Sequence, residues 1–228
     1  MRLSDRMRIL FILVSADLVL YGILLAFLVV PEHDVMGVVQ RIFYFHVASA
    51  WIAYVAFGVT FVTSLAYMRT KDLGWDNWAF SSAEIGVVFT TLAITTGPMW
   101  AKAVWGVFWY WNDLKLILTL VLWLVFIAYV VLRANVTSRR TKAQLAAVFS
   151  VIGMVCVPLS FAANRIWTTI HPTVVATEQG SIVTEGMLPA LIVAVFAMTF
   201  AYISILLIRV DIARMQDRVE ELKLKIGD

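Results

Sequence analysis

The chain has 228 residues, of which 62% are hydrophobic and 14% charged, and its mean hydropathy is +0.88. A water-soluble domain of that composition would aggregate, so these values exclude one and mark an integral membrane protein. The net charge of +3 carries no signature of a nucleic-acid partner, because no basic stripe alternates with exposed aromatics.

Six apolar runs, near 9–30, 43–67, 80–100, 114–132, 143–163 and 187–208, are each long enough to cross a hydrocarbon layer of about 30 Å at a rise of about 1.5 Å per residue. The runs are continuous rather than alternating, so the expected spanning elements are helices that satisfy their own backbone, not barrel strands. The fold predicted is an all-α bundle of six transmembrane helices over 1–208, followed by an amphipathic cytoplasmic helix over 209–228.

The first run follows MRLSDRMR, a basic leader like that of a signal peptide. Its apolar stretch runs for about 22 residues with no small-x-small cleavage site after it, so it is expected to be retained. The loop behind it carries Pro31, Glu32 and His33, and His33 reads as a solvated loop histidine. The second run opens in RIFYFHVASAW with Arg41 and His46, and the third contains AEIGVVFTTLAITTG with Glu84. Between the third and fourth lies WGVFWYWND, residues 105–113, an aromatic crowd closed by Asn112 and Asp113. The single cysteine, Cys156, sits in the fifth run, so no internal disulfide or Cys-x-x-Cys pair exists and a buried small hydrophobe is expected. NRIWTTIHPTV then brings Arg165 and His171. In the tail, Ile212, Met215, Val219, Leu222 and Ile226 are spaced 3, 4, 3 and 4, a heptad rhythm that suits a partner helix or a solvated surface helix.

With the N-terminus inside, fourteen of the 18 Lys and Arg residues fall on the cytoplasmic side, leaving Arg41, Lys102, Lys115 and Arg165 outside. Both termini are then cytoplasmic, and the segments 31–42, 101–113 and 164–186 share the outer face, periplasmic in a bacterium. All three histidines, His33, His46 and His171, lie on or near it. No nucleotide-binding glycine loop occurs, so any use of ATP would belong to a partner.

Two neutral imidazoles from different segments, His46 and His171, can hold a haem iron from both faces, whereas zinc would want three or four ligands. The plainer reading makes each histidine an interfacial hydrogen-bonding residue. The tryptophans divide in the same way, between an interfacial belt and a flat platform for a greasy macrocycle. Arg41, Lys102, Lys115 and Arg165 are cations that propionates could use, or ordinary headgroup contacts. Asp17 and Glu84, inside apolar runs, are expected to face the bundle interior, as pairing residues or in a path for haem.

WGVFWYWND resembles the WGxxWxWD signature of the tryptophan-rich (WWD) haem-handling family of cytochrome c maturation. The resemblance spans most of the chain, through RIFYFHVASAW, AEIGVVFTTLAITTG and NRIWTTIHP. It implies haem b, held non-covalently by His46 and His171 as axial ligands and cradled by Trp105, Gly106, Trp109 and Trp111. With one inserted residue the signature's acid falls on Asp113 and its following basic residue on Lys115; without the insertion the acid position holds Asn112. The resemblance further implies delivery of haem to a periplasmic haem chaperone, an ABC-type ATPase/permease assembly, a small single-span helper and a place in the bacterial inner membrane. A b-type membrane cytochrome and a haem-free permease or scaffold subunit are the competing functions. Three histidines near one face supply one bis-histidine haem and no electron route across the membrane.

Overall fold

The computed structural model describes residues 5–34, 36–167, 169, 171 and 186–226. Six helices follow one another: α1 (Asp5–Leu24, closed by a π turn over Leu25–Val29), α2 (Gln40–Thr70), α3 (Leu73–Trp105), α4 (Leu114–Asn135), α5 (Arg139–Ile166) and α6 (Met187–Ile226). All six are long and apolar enough to cross a membrane, and no strand is formed among the described residues. Their ends are written locally. Lys71 adopts a left-handed conformation that stops α2, and the Asp72 carboxylate accepts from Gly74 N at 2.8 Å to start α3. Gly106, with φ 76°, stops α3; Asp113 and Ser138 cap α4 and α5.

The closest helix pairs are α2 with α3, α4 with α5 and α1 with α6, and these contacts fix which faces meet. At the centre, the rings of Phe57 (α2) and Phe126 (α4) stack with centroids 3.7 Å apart. Each ring rests on a glycine: a Cβ on Gly86 would lie 2.5 Å from Phe57, and one on Gly153 2.5 Å from Phe126. In hydrocarbon, where burial of apolar surface gives no advantage over lipid, such close fit and interhelical hydrogen bonds hold helices together. The hydrogen bonds are present: Ser82 to Tyr202 at 2.7 Å, Ser15 to Ser204 at 2.7 Å and Tyr54 to Ser160 at 2.8 Å. Cys156 is buried in the same core.

The ends of the helices far from the aromatic loop are tied by charge. Arg133 of α4 forms a buried bidentate pair with Asp76 of α3, at 2.6 and 2.8 Å, and lies 4.3 Å over the Phe80 ring. Glu84 pairs with Arg209, Arg8 with Asp211, and Asp217 with both Arg139 and Asn77. These contacts anchor the part of α6 beyond residue 208, which continues the transmembrane helix without a break to Ile226. Glu84 therefore faces the bundle interior, as expected. Asp17 does not: it is exposed on the outer side of α1, whose inner side meets α6 through Phe11–Phe200 stacking at 5.3 Å.

Candidate functional site

Opposite the charged ends, the first turns of α2, the last turns of α3, the start of α4 and the segment after α5 enclose a largely apolar cleft of about 220 Å³. His46, Trp105, Trp109, Lys115 and His171 line it.

His46 projects from the second turn of α2 towards α3. Its Nδ1 lies 3.1 Å from the Ala93 carbonyl oxygen and 3.3 Å from Thr96 Oγ1. A carbonyl only accepts, so Nδ1 carries the proton and Nε2 is left with its lone pair. Gly97 makes the approach possible, because a Cβ there would lie 2.8 Å from His46 Cε1.

His171 is positioned through a relay. Its backbone N–H donates to Thr169 Oγ1 at 3.0 Å, and the Thr169 hydroxyl donates to the Asp113 carboxylate. Asp113 is fully buried and also accepts from Lys115 N at 3.0 Å and Leu116 N at 3.2 Å, capping α4. Asn112, by contrast, is exposed. The residue that caps the helix thus also fixes the chain that carries His171. Burial first, then the nearby Lys115 charge, pushes the His171 imidazole down to about 3, so it is neutral at physiological pH and keeps a lone pair. Its Nδ1 is buried with no hydrogen-bond partner among the described residues.

The two imidazoles meet across the cleft with ring centres 6.4 Å apart and planes inclined at 59°. A metal–imidazole bond is about 2.0 Å and the ring centre lies ~1.1 Å behind the nitrogen, so two axial imidazoles on one iron hold their centres about 6.2 Å apart. The observed spacing fits that requirement. Among the described residues no group of three or more His, Cys, Asp or Glu side chains converges on a metal-sized point, so what the cleft offers is this pair of nitrogens.

The aromatic loop divides between lining and surface. Trp105 stands edge-on to Trp100 at 4.9 Å and to His171 at 6.3 Å. Trp109 lines the cleft and touches Trp111 at 5.8 Å, but Trp111 is 68% exposed and lies outside the lining. Gly106 provides the left-handed turn that sends the chain back over the cleft, and Lys102 Nζ donates to its carbonyl at 2.8 Å. Lys102 also sits 5.4 Å over Phe108. Of the cations whose side chains are described, Arg41, Lys102 and Lys115, Lys115 is the one among the lining residues. Arg41 turns away to Glu32 at 3.7 Å and lies 5.5 Å over the Phe27 ring. Arg165 lies in the last turn of α5, and its side chain is outside the described residues. His33 is away from the cleft, where its Nδ1 accepts from Met36 N at 3.3 Å.

Three residues that sequence reasoning did not single out matter here: Gly97, Ala93 through its carbonyl, and Thr169. Thr169 had a local signal, a threonine two residues before His171, the spacing at which a hydroxyl meets a backbone N–H. The other two had none, since their role is set by which turn of α3 faces His46.

The family described as heme exporter protein C matches residues 1–225 of the chain. Relatives carrying that name include one from Bradyrhizobium diazoefficiens, 29% identical over 195 residues, covering 85% of this chain and 74% of the relative. Another, from Rhodobacter capsulatus, is 26% identical over 204 residues, or 89% of this chain and 83% of the relative. A third, from Haemophilus influenzae, is 25% identical over 210 residues, or 91% and 85%.

Proposed function

The chain belongs to the heme exporter protein C family, and from that premise we propose that it holds haem b non-covalently in the cleft between His46 and His171 and hands it to a periplasmic haem chaperone for c-type cytochrome biogenesis. The observation that carries the reading is the 6.4 Å spacing of two neutral imidazoles on separate elements. His46 Nε2 and a nitrogen of His171 are the axial donors. Trp105 and Trp109 offer flat apolar surface to the macrocycle, and Lys115 is placed to meet a propionate. The exposed Trp111 and Phe108 form the rim that a chaperone would reach. An ABC-type ATPase/permease assembly and a small single-span helper complete the reading, and any use of ATP would belong to that assembly.

Purification of the full chain from haem-replete cells should give a Soret band of low-spin, bis-histidine character, and mixing with the apo-chaperone should move haem from one protein to the other. A folded protein without any Soret band would favour the permease or scaffold reading. A Soret band with no transfer would favour a b-type cytochrome.

The bias of basic residues towards the opposite end of the bundle supports a cleft on the periplasmic side of the inner membrane. A reporter fused after Asp228 should therefore report a cytoplasmic location, and one inserted at Thr177 a periplasmic one. The reverse pattern would put the cleft in the cytoplasm and end the delivery reading.

A further inference from the structure

The outer face of α1 has chemistry that neither the fold nor the cleft uses. The contacts of this helix with α6 lie on one side, where Phe11, Ser15 and Gly22 meet Phe200, Ser204 and Val193. The other side presents Leu10, Leu13, Asp17, Leu20 and Leu24, all exposed and spaced 3, 4, 3 and 4. That is a heptad seam of leucines with one ionisable residue at its centre. The candidate span is Arg6–Val29, so Asp17 sits at its middle, about 17 Å from either end. A carboxylate on one methylene cannot reach either interface from there, as a long lysine or arginine stem would. No hydrogen bond or ion pair reaches Asp17 among the described residues.

We propose that this face of α1 is the docking site for a transmembrane helix of another protein that brings a lysine or arginine to mid-bilayer depth opposite Asp17. Intramembrane carboxylates are costly and pair with a cation or line a polar path, and since none of the described residues supplies a cation to Asp17, a helix from outside the chain is the source we assign. A second copy does not supply it. A two-fold contact through this seam would set Asp17 against Asp17, two like charges in a low dielectric. A basic residue on the partner neutralises the carboxylate and at the same time fixes the register of the leucine seam, the role a lone polar residue plays in a coiled coil.

The test uses the full chain in phosphatidylcholine vesicles with synthetic leucine-rich transmembrane peptides that differ only in a central Lys, Leu or Asp, read by energy transfer between labels. Association with the Lys peptide should be roughly tenfold tighter than with the Leu peptide, and Asp17→Leu should erase that difference while leaving helicity and tryptophan fluorescence unchanged. Asp17→Asn, which keeps size and polarity, should lose most of it. Equal binding of the Lys and Leu peptides, a preference that survives Asp17→Leu, or tighter binding of the Asp peptide would each overturn the proposal. In native membranes, a cysteine placed at Leu13 or Leu20 in a Cys156→Ala background should cross-link to a chain with a basic residue near the middle of a span. Cross-links only between two copies of this chain would overturn it as well.

Discussion

His46→Ala and His171→Ala should each turn the low-spin spectrum of the haem-loaded protein into a high-spin one, with a loss of haem affinity of about 10- to 100-fold. Each change removes one axial nitrogen and leaves Trp105 and Trp109 in place, so part of the haem stays bound. Added imidazole should fill the vacated position and restore much of the low-spin band, because the cleft left by the ring is open to a molecule of the same shape. The double variant has no axial donor and should retain far less haem. Trp109→Ala is expected to differ in kind, lowering occupancy without first altering the axial spectrum, since an indole offers surface and no lone pair. Trp111→Ala should spare occupancy and slow transfer to the chaperone, because that side chain is exposed beyond the lining. His33→Ala is the internal control. If His33→Ala changes the spectrum and neither His46→Ala nor His171→Ala does, the pair is wrongly chosen.

Asp113→Ala should lower stability by about 2–5 kcal/mol, combining the loss of a helix cap, ~0.5–2 kcal/mol, with that of a hydrogen bond to a buried charged group, ~1.5–3 kcal/mol. Thermal unfolding in detergent, followed by far-ultraviolet circular dichroism, measures it. The haem spectrum should change in the same variant even at temperatures where it is folded. Thr169 then has no carboxylate to bind, and the chain carrying His171 loses its anchor. Asp113→Asn keeps one oxygen, which can still cap α4 through Lys115 N and Leu116 N, but puts an NH2 donor where the other carboxylate oxygen accepts from Thr169, so it should recover much of the stability and only part of the low-spin band. Asn112→Ala, at an exposed position, should do neither harm. An Asp113→Ala protein with unchanged unfolding temperature and unchanged spectrum would show that the acid does not position His171.

The number and kind of spans were legible because mean apolarity over about 20 residues is a property of the segment itself and is what a bilayer demands. Helix ends were less legible in the same signal. The third apolar run marks 80–100, whereas α3 extends over Leu73–Trp105; the sixth marks 187–208, whereas α6 continues to Ile226. Apolarity locates the part of a helix that lies in hydrocarbon, and a helix continues past it until a cap or a left-handed residue stops it. For α3 those stops, Asp72 and Gly106, are readable in the sequence as an N-cap and a terminal glycine. The choice between Asn112 and Asp113 is of the same local kind. Asp113 directly precedes the first turn of α4, where a carboxylate meets free N–H groups.

What only the tertiary structure decided is which distant residues face one another. Nothing in the local sequence around His46 announces the Ala93 carbonyl or the gap at Gly97, and nothing around Arg41 sends it to Glu32 rather than to the cleft. Glu84 and Asp17 are alike in sequence, each a lone acid in an apolar run, yet one meets Arg209 inside the bundle and the other faces outward from α1. The difference is the rotation of each helix about its own axis. That rotation follows from how glycines, stacked rings and hydroxyl pairs fit between helices, as Phe57 on Gly86 and Ser15 on Ser204 do here. Composition selects the membrane and the helix; close contact between helices chooses which side of each one looks inward, and so brings His46 and His171 to opposite sides of one cleft.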